Sequence, residues 1–535
     1  MDSDEILSAL ETEFEDSGSD FIPSDLSDSS DESIEDVIEN SQFDFEDDIE
    51  ENSNNEQTTE MQTDHWFYVS NVHQPTFPYI GNDRNICNLG PDSKPIDFFY
   101  LFLNNDVIEM IVRETNRQAK KYKRDWVATD HLEIKKMLTI VMYTGLVTYP
   151  KLSDYWCRKL LYKNSYIPLL MPRNRFQLLL RFFHLANNDD ILDHDRLGKI
   201  RPLVDMLMKT YSDSKIPGEN VVIDESMIPF RGRLIFRQYL PNKSSKYGIK
   251  LYKLCDSIGY TYKIIVYSGK DSNLSLQTNF PAAGKVVMEL MDGYLNEGRT
   301  LIVDNFYTSL KLAHTLLQNN THMVGTLRKN ARELPKDVMN AKIKKGEIKG
   351  KVNSKGVVAS VWKDKREVRM ISTKHGINIL ETGKKNRKGE PIKKPESIIF
   401  YNKHKQGIDV SDQMTSYFSP FRKTIRWYHK VAFHLLLGTS VINAMILHKQ
   451  ITGKKKQISE FREEIIMALG KVDDQIISPR SNKHKLVENN QYRNNSNKKK
   501  RSRCVGCYER LRKELGRNEA QKKCKQAMAA DSRDL

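Results

Sequence analysis

Val221-Val222-Ile223-Asp224 and Thr300-Leu301-Ile302-Val303-Asp304 are two short apolar runs that each stop at a carboxylate. Such runs read as buried strands. Between them, residues 251–256 and 262–267 flank a turn at Ser257-Ile258-Gly259, which predicts a hairpin, and residues 285–295 follow a helical pattern. Beyond Asp304, residues 310–318 read as a helix and 323–327 as a further strand. The order strand, hairpin, helix, strand, helix, strand predicts a mixed α/β layer rather than a regular doubly wound sheet.

Carboxylates at the ends of neighbouring buried strands point toward one place at the sheet edge. Their charges repel there, so a hard divalent cation is the natural partner. Two such cations activate a nucleophile and stabilise the leaving oxygen at one phosphate. Asp409 and Asp412, spaced i, i+3, add two carboxylates on one face if that segment is helical. A second reading stands beside this one: strand-end aspartates also cap turns and helices.

Working outward, residues 95–214 are helical in pattern. Pro95-Ile96-Asp97 opens the run, and Phe98, Phe99, Leu101 and Phe102 make the first apolar face. Residues 331–395 are rich in Lys and Gly, with β-leaning pieces at 357–362 and 368–372, and predict an inserted β-rich subdomain. Residues 396–418 return to the core pattern, and 429–451 read as an apolar helix. His434, Gly438 and Asn443 interrupt its apolar stretch, which is short for a membrane span and suits a buried helix. The expected divisions are an acidic disordered tail at 1–64, an extension at 65–94 and a helical domain at 95–217 and 419–469. The mixed α/β core takes 218–330 and 396–418, with the insertion at 331–395. A basic flexible linker covers 470–503 and a truncated cysteine-rich segment 504–535.

Of the 70 acidic residues, 24 fall in residues 1–64, which hold no Lys or Arg; the rest of the chain carries 84 basic residues against 46 acidic ones. Such a surplus attracts polyanions, although Lys-rich surfaces also serve solubility. The acidic segment has too little apolar material to offset backbone ordering. It reads as an internal DNA mimic, a phosphorylation platform or a solvated tail. Lys498-Lys499-Lys500-Arg501-Ser502-Arg503 reads as a nuclear import signal, a DNA-backbone contact or a solvated charge run. No basic-plus-apolar leader opens the chain. Six cysteines, three of them isolated, make no disulfide framework and suit a reducing compartment.

The local motifs carry a resemblance. Asp224-Glu225-Ser226-Met227-Ile228-Pro229-Phe230-Arg231-Gly232-Arg233 resembles the first catalytic block of piggyBac-type transposases. Pro241-Asn242-Lys243 with Lys246-Tyr247-Gly248-Ile249-Lys250 is similar to the block that follows there. Val303-Asp304-Asn305-Phe306-Tyr307-Thr308-Ser309 resembles the second catalytic block, and Gly407-Ile408-Asp409-Val410-Ser411-Asp412-Gln413-Met414 the third. Arg422-Lys423-Thr424 with Arg426-Trp427 resembles the motif just beyond. Five blocks in order are not chance, and the resemblance covers roughly residues 95–450.

The resemblance implies an RNase H-like catalytic core with a β-rich insertion, which places acids on its first and fourth strands and on a later helix, and it implies that the helices flanking this core form a dimerisation and DNA-binding domain. It implies a two-metal site for Mg²⁺ or Mn²⁺, with Asp224, Asp304 and Asp409 as catalytic ligands and Asp412 as a fourth, supporting one. The implied activity nicks transposon ends, forms DNA hairpins on the excised element and joins it into TTAA targets. The implied partners are double-stranded DNA and a second copy of the chain, in the nucleus, with no membrane and no small-molecule substrate.

Arg231, Arg233, Arg237, Lys243, Lys246 and Lys250 form a basic cluster near Asp224, read either as phosphate contacts or as structural ion pairs. Arg422, Lys423 and Arg426 with Trp427 suit a distorted DNA end, although Trp427 also reads as a core aromatic opening the next helix. Cys504-Val505-Gly506-Cys507 has zinc-knuckle spacing, and Cys524 follows. A tetrahedral zinc needs four ligands, so three cysteines make an incomplete set and zinc is not expected. Ser244 stands where the family usually has Pro, and Gln406 where it usually has Gly. Two rivals remain: a domesticated or defective DNA-binding protein, and an unrelated metal-dependent nuclease.

Overall fold

The computed structural model describes residues 65–69, 74–241, 245–269, 280–386, 389–420, 426–470, 512 and 516–519. The chain divides into a unit through Lys471 and a second unit from Val472. In the second, the Gly516 amide donates to the Arg512 carbonyl.

The first unit opens with helices α1 (Pro95–Tyr100), α2 (Asn105–Tyr122), α3 (His131–Leu146), α4 (Arg173–Phe182) and α5 (Arg201–Ser214). Proline at the start of α1 and side-chain caps from Asn104 on α2 and Asp130 on α3 set their first turns. Arg175 on α4 grips Glu133 on α3 through two hydrogen bonds of 2.6 and 2.5 Å. Its guanidinium lies over the Trp126 ring.

Strands β2 (Asn220–Pro229), β4 (Tyr247–Asp256) and β5 (Thr261–Val266) form an antiparallel meander, and the two-residue β3 (Gln238–Tyr239) pairs with the start of β4 on the edge that β5 also uses. The 251–267 hairpin is present and longer than its apolar run suggests. The Asp256 carboxylate organises its turn by accepting from the Ile258 and Tyr260 amides, and Gly259 takes φ +92°. After α6 (Ala282–Met291), strand β6 (Thr300–Val303) pairs parallel with β2. After α7 (Leu310–Gln318), strand β7 (His322–Thr326) pairs parallel with β6.

Among the described residues, 331–395 hold five further strands, and three of them continue this sheet. Strands β8 (Ile348–Asn353), β9 (Val358–Lys363) and β10 (Glu367–Ser372) add antiparallel beyond β7, and β1 (Trp66–Tyr68) pairs with β8. The separate hairpin is β11 (Ile379–Lys385) with β12 (Pro391–Pro395). Helices α8 (Glu396–His404) and α9 (Gly407–Ser416) cover one face of the sheet. Val222, Cys255, Ile302, Val324 and Met370 from the strands pack there against Ile398, Tyr401 and Ile408 from the helices.

The apolar stretch after Arg426 is one continuous helical run: α10 (Trp427–His434), a π-helical turn at Leu435–Thr439 and α11 (Ser440–Thr452). It is long and apolar enough to cross a membrane and is largely buried within the protein. With α12 (Ile458–Gly470), it packs back on α1 and α3, so helices before and after the sheet share one core. Arg462 on α12 is fully buried and donates to the Leu437 carbonyl in the π turn at 2.9 Å.

Candidate functional site

Side chains two apart on a strand share a face, and residues paired across strands share it too. On the face covered by α8 and α9, four strands therefore carry an apolar residue followed, two positions on, by a polar one. Val222 leads to Asp224 and Ile302 to Asp304; Val324 leads to Thr326. Cys255 has Lys253 two places before it on the antiparallel β4. The apolar row forms the core under the helices, and the polar row lies at its edge.

Asp224 does not end its strand, as the apolar run alone suggested. β2 runs on to Pro229 because it stays paired with β4, whereas its parallel pairing with β6 stops at Ile223 opposite Val303. Asp224 and Asp304 are thus the next residues in register, side by side where the two strands part. One oxygen of each also accepts a local amide: Asp304 caps the turn after β6, accepting from Phe306 at 2.9 Å, and Asp224, inside β2, accepts from Glu225 at 2.8 Å. For Asp304 the capping role and the shared placement therefore coexist.

Asp409 lies in the first turn of α9, which spans the Asp409–Asp412 pair as a helix. Glycine at 407 lets that helix start against the β4–β5 turn, since a Cβ there would stand 2.2 Å from the Asp256 carbonyl oxygen. Gln406 has φ −76°, a backbone any residue adopts, so glycine is not required one position earlier.

The buried Tyr401 phenol on α8 reports how the acids converge. Burial pushes its pKa up, and the charges of Asp304, Asp224 and Asp409 push it further, against a hydrogen bond with Thr326 that lowers it. Tyr307 feels Glu225, Asp224 and Asp304 in the same direction, after burial. Lys405, at the end of α8, is lowered by burial and raised by Asp409 and Asp224. All three carboxylates therefore act on Tyr401, while Tyr307 and Lys405 each feel two of them.

Asp412 is placed differently. Its Oδ1 accepts from Lys253 Nζ and from Ser226 Oγ, both at 2.7 Å, and Lys253 has no exposure to solvent. A carboxylate so held braces α9 on β2 and β4. Among the described residues, no three His, Cys, Asp or Glu side chains form a ready-made metal cage. The donor chemistry still fits a hard cation. Mg²⁺ is commonly held by one or two carboxylates together with substrate phosphates, and Asp224 and Asp304 are such a pair.

Around this edge, Arg231, Arg233 and Lys246 are exposed. Arg237 instead ties down its own loop, donating to the Arg231 and Gly232 carbonyls, and lies over the Tyr247 ring. Lys250 is buried, its ammonium over Tyr252 and over Phe306, two residues from Asp304. Arg426 donates to the Arg181 carbonyl, and Trp427 opens α10 with its ring edge-on to Phe236. Lys243, Ser244, Arg422, Lys423, Cys504, Cys507 and Cys524 lie outside the described residues. Ser226, Lys253, Tyr401 and Lys405 were not singled out by the sequence. Only Lys253 leaves a visible sign, as a lone charge in the apolar run Leu251-Tyr252-Lys253-Leu254-Cys255.

The central strands stand in the order β5-β4-β2-β6-β7, a meander followed by two parallel strands, with helices across the sheet. That arrangement is RNase H-like. The chain belongs to the piggyBac-type transposases, and a family model described as Transposase IS4 matches residues 94–445. It is similar to human piggyBac transposable element-derived protein 3, at 26% identity over 387 residues, covering 70% of this chain and 64% of the relative. It is also similar to human piggyBac transposable element-derived protein 2, at 23% identity over 390 residues, covering 69% and 64%. The chain thus spans a little under two thirds of those two relatives. A cryo-EM structure of a piggyBac transposase synaptic complex with hairpin DNA superposes with a TM-score of 0.64 at 26% identity, covering 75% of this chain and 85% of that one.

Proposed function

We propose that the chain is a metal-dependent DNA transposase that cuts transposon ends and joins them into TTAA targets through Asp224, Asp304 and Asp409. What supports this reading is the register that sets Asp224 beside Asp304 where β2 and β6 part, with Asp409 in the first turn of α9, which packs on β2. Divalent cations bound there would supply Lewis-acid stabilisation of the phosphate and a more acidic attacking water.

The remaining steps belong to the chain. Asp224 and Asp304, adjacent in register, hold the first ligand pair, and Asp409 approaches from α9. Asp412 supports them by fixing α9 through Lys253 and Ser226. Lys405 offsets the concentrated negative charge. The exposed Arg231, Arg233 and Lys246 hold the DNA backbone in line, which transesterification requires. The relative solved with hairpin DNA supports DNA as the partner. Two DNA ends call for two copies of the chain, and the work on DNA for a nuclear site.

A donor-plasmid excision assay, using the genomic DNA that flanks this gene as the ends, tests the reading. Excision by the wild type and none by Asp304→Asn is the expected result. Retained DNA binding with no excision by either would favour the domesticated or defective DNA-binding protein.

A further inference from the structure

A cleft of about 440 Å³ opens between α2, α4 and the start of α10, and it shares no residue with the carboxylate edge. Its size falls within the roughly 300–1,000 Å³ of small-molecule sites. Arg181, Lys199 and Arg426 supply three cations, and none of the described residues lining it is acidic. Tyr428 forms an aromatic wall, with Lys199 Nζ 5.4 Å from its ring centre, and Tyr122 offers a largely exposed second ring. The positive field is concentrated. Burial lowers the His184 pKa, and Arg426 and Lys199 lower it further, against a backbone hydrogen bond to Phe182 that raises it.

We propose that this cleft binds one unstacked nucleotide, with its base against the aromatic wall and its phosphate on Arg181, Lys199 and Arg426. Three cations in a lining with no acid among the described residues favour phosphate, and aromatic faces take any base. A ring path of Tyr428, Trp427 and Phe236 leads from the cleft to the loop that carries Arg231 and Arg233. An unpaired nucleotide of a DNA strand and a free mononucleotide share this chemistry. The choice of DNA as source rests on the transposase reading, whereas the chemistry of the cleft does not.

The test measures binding by the purified full chain in EDTA, so that strand cleavage, whether present or absent, cannot affect it. Fluorescence anisotropy compares a duplex carrying one unpaired adenosine with the fully paired duplex, and AMP serves as competitor. The wild type is expected to prefer the unpaired duplex about tenfold, within the range of one base stacked on an aromatic ring. Lys199→Glu should abolish that preference, and Lys209→Glu, with the same charge change at an exposed position on α5, should keep it. AMP binding that Lys199→Glu removes, with no preference between duplexes, would support the cleft and assign it to free nucleotides. Equal duplex binding with no AMP binding would overturn the proposal. A preference kept in Lys199→Glu, or lost equally in both variants, would do the same.

Discussion

Lys253 carries its ammonium into the sheet with no exposure to solvent, and Asp412 meets it at 2.7 Å. Removing one partner of a buried pair leaves an uncompensated charge, which costs about 3–5 kcal/mol. Asp412 is partly exposed, so Asp412→Asn is expected at the lower end, about 3 kcal/mol in urea unfolding. Adding Lys253→Met should recover much of that loss. An Asp412→Asn chain as stable as the wild type would mean that the pair does not brace α9. The sequence shows half of this arrangement. A lysine inside Leu251-Tyr252-Lys253-Leu254-Cys255 calls for a partner, but nothing local says that the partner lies 159 residues further on. Asp224, Asp304 and Asp409 stand out in the sequence for a different reason: each sits in a block that resembles a family motif.

At the scale of elements, the apolar strands were legible and the polar ones were not. Residues 323–327, 357–362 and 368–372 read as strands from their β-branched content, and β7, β9 and β10 lie there within a residue or two. Strand β8 reads Ile-Lys-Gly-Lys-Val-Asn and shows no such pattern, while β1 is three residues held by a partner almost 300 positions away. Both are formed by pairing rather than by propensity. The length of β2 escaped for the same reason, because β4 keeps it paired through Pro229. The contact between α9 and the β4–β5 turn gives a test at this scale. Gly407→Ala places a methyl 2.2 Å from the Asp256 carbonyl oxygen, so the helix must shift. An overpacked contact of this kind costs about 1–3 kcal/mol. We expect that loss in denaturant titration together with slower DNA cleavage, because Asp409 moves with the helix. Wild-type stability and cleavage would show that the turn does not set the helix position.

At the scale of the molecule, one sheet runs from the meander through the insertion strands, and helices from both sides of it pack into a common core. Elements far apart in sequence therefore fix the edge that carries the acids, and the mixed α/β order was readable before the pairing was. The central claim is that Asp224, Asp304 and Asp409 together cut DNA with a divalent cation. The most direct measurement incubates the purified full chain with a labelled duplex of the flanking ends, in Mg²⁺ or in EDTA, alongside Asp304→Asn. The account predicts strand cleavage by the wild type in Mg²⁺ alone, and loss of at least a hundredfold in Asp304→Asn with duplex binding retained, about the effect of removing one electrostatic stabilising group from a catalytic site. Cleavage by Asp304→Asn at the wild-type rate, or equal cleavage in EDTA, would contradict it.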